Sequence, residues 1–162
     1  MNIEIVQVTT NEQWHAALQI REDVFVREQQ VPLELERDAI DEQAQHILAL
    51  VTNLSQTPAT GNNPGANGAP VWAGTARAFR NPECGEELMI GRVAVRKPFR
   101  RLGIAGKMTN WLIDWARSGG YQRVRLHAQS YIVRLYARLG FVTHGAEFLE
   151  AGIPHQEMIL KL

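Results

Sequence analysis

The sequence predicts an α/β (α+β) fold, a mixed and largely antiparallel central sheet of about seven strands flanked by about four helices. Three observations predict it. Alternating apolar residues mark short strands, 3.6-residue periodicity marks helices, and the segments follow in the order β-α-α-β-β-β-α-β-α-β-β. A chain of 162 residues, 45% of them hydrophobic, has the size of one domain with its own core, so we expect a single domain over residues 1–162.

The chain is expected to begin with a strand and a capped helix. Residues 2–8 alternate apolar and polar side chains, as a half-buried strand does. Thr10 and Gln13 form a capping-box pattern at the start of a helix that we expect to end near Arg27. An acidic segment, residues 34–42, follows and is predicted to be partly helical.

The middle of the chain is predicted to contain three strands, at residues 46–53, 71–79 and 88–95. Residues 55–70 separate the first two and are rich in Gly, Asn, Pro and Thr, which predicts a flexible surface loop. A long helix follows the third strand, and its buried stripe is predicted to consist of Ile104, Met108, Trp111, Leu112 and Trp115.

The last third is expected to complete the sheet. Residues 123–129 form a predicted strand, residues 131–139 a short helix, and Gly140 the cap of that helix. Strands at 141–148 and 155–160 are predicted to close the sheet.

Composition narrows the class of protein. No apolar run approaches the ~18 residues that a membrane span needs, and the N-terminus lacks the basic start and apolar core of a signal peptide. The single cysteine, Cys84, excludes an internal disulfide. These features lead us to expect a cytoplasmic protein with no membrane partner.

Charge is unevenly distributed although the formal net charge is zero. Residues 1–50 hold ten acidic residues against three Lys or Arg, whereas residues 90–140 hold eleven Lys or Arg against one acidic residue. A basic half suits an anionic cofactor, and an acidic half suits a cationic substrate such as an amine. A basic half is also typical of nucleic-acid-binding modules, but few aromatic residues are interleaved here and no nucleic-acid-binding motif is present, so no such partner is expected.

The most informative segment, residues 90–106, combines a strand, a basic turn and a glycine-containing entry into the long helix. A helix N-terminus offers unpaired N–H groups and a positive dipole end. Gly103 and Gly106 would let a phosphate approach the backbone closely. The basic side chains around the turn are Arg96, Lys97, Arg100 and Arg101. A phosphate-bearing cofactor is therefore predicted at this junction.

Two common phosphate-binding motifs are excluded. A P-loop needs four residues between its first glycine and Gly-Lys, followed by Ser or Thr, whereas only two residues separate Gly103 from Gly106, and Met108 follows Lys107. The dinucleotide motif Gly-x-Gly-x-x-Gly lacks its first glycine.

A third motif fits. Residues 100–105, RRLGIA, resemble the Arg/Gln-x-x-Gly-x-Gly/Ala motif with which the GNAT acetyltransferase superfamily binds the pyrophosphate of acetyl-CoA. Residues 91–95 resemble the strand before that motif, and residues 134–141 resemble the second GNAT signature. Three further segments are similar to the ElaA-like and YjcF-like subgroup: residues 20–29, 126–129 and 152–155. The stretch 53–70 departs from the subgroup because it is longer.

The resemblance implies a GNAT fold and an N-acetyltransferase that moves the acetyl group of acetyl-CoA directly to a primary amine of a small molecule or to an exposed amino group. It implies no metal. A strand bulge would free the backbone of Val93, Ala94 and Val95 for the pantetheine arm and the thioester. The other cofactor-binding residues that it implies are Arg100, Arg101, Leu102, Gly103, Ile104, Ala105, Gly106, Lys107 and Gln129.

Tyr136 lies where the superfamily places the general acid that protonates the departing thiolate. Candidate acceptor-binding residues are Asp41, His46 and His155. The general base is left open among Asp41, Glu42, His46, His127, His155 and a chain of waters. One alternative function remains, a GNAT-fold sensor that binds CoA or acyl-CoA without turnover. The resemblance also implies assembly as a homodimer, since members of the superfamily often dimerise.

Overall fold

The computed structural model describes residues 1–53 and 68–162. The predicted loop at 55–70 lies almost entirely outside the described residues. Within them, no helix combines the length and the apolarity that crossing a membrane requires.

A seven-stranded sheet forms the centre of the described part of the chain, in the order β1-β2-β3-β4-β5-β7-β6. β4 and β5 run parallel, and the other neighbouring pairs in this part of the chain are antiparallel. The predicted mixed, largely antiparallel sheet is thereby confirmed. The strands are β1 (Asn2–Gln7), β2 (Gln45–Thr52), β3 (Val71–Arg80), β4 (Glu87–Val95), β5 (Arg123–Gln129), β6 (Val142–Glu150) and β7 (Ile153–Lys161).

Four α-helices flank the sheet within the same residues: α1 (Asn11–Arg21), α2 (Leu33–Glu36), α3 (Ile104–Ser118) and α4 (Val133–Arg138). The predicted capping box is present, since the Thr10 side chain accepts a hydrogen bond from the Gln13 N–H at 3.1 Å. Beyond α1 the chain continues as a π-helical segment, Glu22–Glu28. The helical stretch thus ends close to the predicted point, but its wider last turns were not predicted.

The two sides of the sheet carry different helices. α3 packs on one side, where Ile104, Met108 and Leu112 are buried as predicted. Trp111 and Trp115 of the predicted stripe are only partly buried and pack at the edge of this core. On the other side α1 and the π-helical segment bury a smaller cluster: Ala17, Ile20 and Val24 against Leu48 and Ala94.

β4 separates from β5 halfway along its length. The two strands pair only over Glu87–Ile90 and Arg123–Leu126. Just beyond, Arg92 and Val93 together oppose a single residue of β3, which is a β-bulge, and Arg92 has a φ of 51°. On its other edge β5 pairs with β7 over its whole length, Arg123–Gln129. An opening therefore lies between β4 and β5, at the bulge that the resemblance implied.

Candidate active site

A cavity of about 940 Å³ occupies this opening. Its walls come from the second half of β4, the start of α3, the end of β5, α4, the π-helical segment and α2. Most of the lining surface is apolar, and a few polar groups converge on it. A cavity of this size and character is typical of a site for a small molecule or cofactor.

The N-terminus of α3 forms one wall of the cavity. Gly103 caps the helix with a φ of 78°, a left-handed conformation that glycine adopts without strain. A Cβ atom placed on Gly103 would meet no protein atom within 4 Å, so the space beside this backbone is open. The first N–H groups of a helix have no partner within the helix, and these are available to an anion.

The structure brings most of the predicted cofactor-binding residues together. Leu102, Gly106 and Lys107 belong to the same turn but do not line the cavity. Those that do line it are Val93, Ala94, Val95, Arg100, Arg101, Gly103, Ile104, Ala105 and Gln129.

Arg100 is held away from full solvent exposure by an acidic partner. Its guanidinium donates two hydrogen bonds to the Glu28 carboxylate, at 2.6 and 2.8 Å, and its Nε donates to the Val95 carbonyl. The two side chains are 36% and 37% exposed, so this ion pair contributes little to the free energy of folding. An incoming anion can therefore compete with Glu28 for Arg100.

Gln129 is tied to the π-helical segment. The amides of Gln129 and Gln29 exchange hydrogen bonds at 2.8 and 3.2 Å, and both residues line the cavity. Gln29 is not among the predicted site residues, although it lies in the segment 20–29 that carries part of the resemblance.

Tyr136 is buried in α4 and lines the cavity. Its ring packs edge-on against Phe141, with the centroids 6.0 Å apart. Burial raises the pKa of the phenol well above its ordinary value, so the hydroxyl keeps its proton at neutral pH. Within the described residues the hydroxyl makes no hydrogen bond, and it is free to donate one to a ligand.

The acidic segment is largely neutralised by arginines. Arg21 is buried between Glu36 and Asp41, with 2.7 Å from its Nη1 to Asp41 Oδ1. Arg77 binds Asp38 and Asp41 at 2.6 and 2.7 Å, and Arg92 also reaches Asp38. Burial alone would raise the pKa of Asp41, but the hydrogen bonds from Arg21 and Arg77 outweigh it and hold that pKa well below its usual range.

The three candidate acceptor-binding residues are not brought together. Asp41 belongs to the arginine network and does not line the cavity. His46 packs against Trp14 at a centroid distance of 4.5 Å, with its Nε2 2.9 Å from the Asp41 carbonyl, and it also lies outside the lining. Burial lowers the pKa of His46. His155 does line the cavity.

A cluster that sequence reasoning missed surrounds His155. Glu150, at the end of β6, lines the cavity and lies between two imidazoles. Its Oε1 is 3.3 Å from His127 Nδ1, and its Oε2 is 3.5 Å from His155 Nε2. No sequence pattern marks Glu150, because the three residues come from three different strands.

Comparisons with known proteins identify the family. A family model described as the acetyltransferase (GNAT) domain matches residues 64–162. Two proteins of Bacillus subtilis are similar over nearly the whole chain: YyaT is 32% identical, covering 96% of this chain and 92% of YyaT. The N-acetyltransferase YjcF is 31% identical, covering 97% of this chain and 99% of YjcF.

Solved structures share the fold. The crystal structure of Escherichia coli ElaA superposes with a TM-score of 0.76 and 24% identity over 98% of this chain and 99% of that one. A Bacillus subtilis acetyltransferase in complex with CoA superposes with a TM-score of 0.57 and 15% identity, over 99% and 97% of the two chains. The chain is thus an acyltransferase of the GNAT acetyltransferase family, whose members transfer acyl groups from acyl-CoA to small-molecule or amino acceptors.

Proposed function

We propose that this enzyme transfers the acetyl group of acetyl-CoA directly to a primary amine of a small molecule or to an exposed amino group. The observation that carries the proposal is the opening between β4 and β5. It joins the free N-terminus of α3 to an apolar cavity that contains Tyr136. We also infer that residues 1–162 are one domain, because a single sheet extends from β1 to β7.

The proposed donor site has two parts. The pyrophosphate binds the N–H groups at the start of α3, where Gly103 leaves the backbone uncovered and Arg100 and Arg101 supply positive charge. The pantetheine arm lies along Val93 and Val95, whose backbone groups have no partner strand in β5. A backbone N–H of this bulge then faces the oxygen on which negative charge develops.

The proposed chemistry needs three proton movements: one proton leaves the ammonium ion before the attack, one leaves the amine nitrogen after it, and one reaches the departing thiolate. The neutral amine nitrogen attacks the thioester carbon and a C–N bond forms. The tetrahedral intermediate then loses a proton from that nitrogen to solvent and collapses, so that the C=O bond re-forms and the C–S bonding pair leaves with sulfur. Tyr136 donates its proton to that thiolate as it departs. Its position in the cavity lining supports this role, and its hydroxyl is protonated at neutral pH, so a proton is present to donate. A free base form of the amine must be generated before the attack.

The test is an acyl-transfer assay with the purified full-length protein. Acetyl-CoA, propionyl-CoA and butyryl-CoA are each offered with a panel of primary amines, CoA release is followed, and products are identified by mass spectrometry. The proposal predicts amine-dependent CoA release that is fastest with acetyl-CoA and yields the N-acetyl product. Tight CoA binding without any amine-dependent release would contradict it and would favour a sensor.

A further inference from the structure

We propose that Glu150 and His155 form the proton-accepting pair for the acceptor amine, and that this amine carries one positive charge on an apolar body. The inference rests on the proposed function, because it concerns the acceptor side of the same cavity. Both residues line that cavity together with Tyr136.

The surroundings of His155 fix which ring nitrogen can accept a proton. Its Nδ1 lies 2.7 Å from the Ile153 carbonyl oxygen, which can only accept a hydrogen bond. Nδ1 therefore carries the hydrogen, and in the neutral ring Nε2 keeps its lone pair. Phe148 stacks on the ring at a centroid distance of 6.0 Å, and only 7% of His155 is exposed. The imidazole is thus held with its basic nitrogen toward Glu150.

Glu150 places a negative charge beside the nitrogen of His155 that accepts the proton. A primary amine is an ammonium ion at neutral pH and must lose a proton before it can attack. In the proposed step an N–H bond of the ammonium breaks, its electron pair stays on the amine nitrogen, and the proton moves to Nε2 of His155. The carboxylate oxygen 3.5 Å from Nε2 stabilises the imidazolium that forms.

The charged groups around the pair come from three strands. His127 of β5 donates to Glu150, and this hydrogen bond lowers the pKa of the carboxyl and raises that of the imidazole. Glu157 of β7 lies 3.6 Å from the other nitrogen of His127. Arg92 of β4 also acts on Glu150 through its charge. Glu150 therefore stays ionised at neutral pH, and half of its side chain is exposed, which gives the proton a route to solvent.

The lining carboxylates limit the charge of the acceptor. Glu36 and Asp38 are paired with arginines. Among the described residues Glu150 has no arginine or lysine within 4 Å, so it is the lining carboxylate that remains for a cation. A polycation would leave further charges unpaired in an apolar cavity, which is costly. Apolar side chains that line the same cavity include Phe25, Leu35, Phe79 and Met89.

The experiment compares three variants in the full-length enzyme, with 2-phenylethylamine as the apolar monoamine and spermidine as the polyamine. His155→Gln should lower kcat for 2-phenylethylamine ~10²–10⁴-fold at neutral pH. That loss should shrink as the pH approaches the pKa of the amine, since the solution then supplies free amine. Glu150→Gln should lower kcat roughly tenfold and move the acid limb of the profile to lower pH. His144→Gln is the control, because His144 binds Glu157 and lies outside the cavity lining.

Binding measurements separate the possible failures. All three variants should bind CoA like the wild type, because none of these residues belongs to the α3 turn. Wild-type kcat and an unshifted pH profile in His155→Gln and Glu150→Gln would overturn the proton-accepting pair while leaving the acetyl transfer intact. A preference for spermidine over 2-phenylethylamine would overturn the substrate class.

A second measurement does not depend on turnover. Nitrogen NMR of His155 in the CoA-bound enzyme should show a protonated Nδ1 and an unprotonated Nε2, and adding 2-phenylethylamine should shift the Nε2 signal in the wild type but not in Glu150→Gln. A protonated Nε2 that does not respond to the amine would overturn the inference, whether or not the enzyme acetylates an amine. Failure to acetylate any amine in the acyl-transfer assay would separately refute the proposed function.

Discussion

Replacing Gly103 with alanine should separate CoA binding from folding. The residue has a φ of 78°, and a non-glycine residue in this left-handed region costs about 1–2 kcal/mol. The added Cβ would meet no protein atom within 4 Å, so no steric cost adds to this strain. For a chain of this size the expected loss of Tm is about 2–8 °C. The same Cβ projects into the space where the pyrophosphate is proposed to approach the backbone, so CoA affinity should fall at least about tenfold.

The matched control is Gly120→Ala. Gly120 follows the other end of α3 and has a φ of 76°, and a Cβ atom placed on it would likewise meet no protein atom within 4 Å. The two variants should therefore lose similar stability in thermal unfolding, and calorimetric titration with CoA should show a loss of affinity only for Gly103→Ala. Wild-type affinity in Gly103→Ala, or an equal loss in both variants, would refute the placement of the pyrophosphate.

Four further outcomes are expected. Tyr136→Phe should lower kcat ~10²–10⁴-fold with little change in the KM for acetyl-CoA, and an unchanged kcat with chemistry rate-limiting would remove Tyr136 as the acid. Glu28→Gln should free Arg100 and tighten CoA binding by less than about fivefold at low salt, an effect that calorimetry should find diminished at high salt. Asp41→Asn should destabilise the fold by about 1–3 kcal/mol in denaturant unfolding, because Arg21 and Arg77 each lose one of the two carboxylates that pair with them. Hydrogen bonds, with that from Arg125 the strongest, lower the pKa of Glu87 from 4.5 to about 2. The stabilisation of the fold by the Glu87 carboxylate should therefore be complete above pH 4.5 and should be lost as the pH falls toward 2. Glu87→Gln should remove this pH dependence of the free energy of unfolding.

The order of elements and the cofactor turn could be predicted because they depend on local sequence. Thr10 and Gln13 cap α1, and Gly103 starts α3, through contacts within a few residues. The π-helical segment Glu22–Glu28 could not be predicted in the same way. Its composition is that of an ordinary helix, and its wider turns show only in hydrogen bonds such as that from the Gln29 N–H to the Val24 carbonyl.

The opening between β4 and β5 was implied by resemblance and not by the residues themselves. Arg92 and Val93 are ordinary strand residues, and the bulge depends on their pairing with β3. Physical reasoning from a single strand cannot find such a feature, because register is a property of two strands.

The acidic segment shows where charge counting is insufficient. An excess of acidic residues suggested a site for a cationic substrate, but Glu36, Asp38 and Asp41 are paired with Arg21 and with arginines far away in the sequence. Glu150, which remains without such a partner among the described residues, belongs to no charge cluster in the sequence. Ion pairs between residues distant in the sequence therefore decide which carboxylates remain available to a ligand.

The most direct test of the central claim is a crystal structure of the enzyme with CoA. The diphosphate should accept hydrogen bonds from the backbone N–H groups at the start of α3, beside Gly103, and the pantetheine arm should lie in the opening between β4 and β5 with its sulfur near Tyr136. CoA bound elsewhere on the protein, with that opening unfilled, would contradict the proposed site.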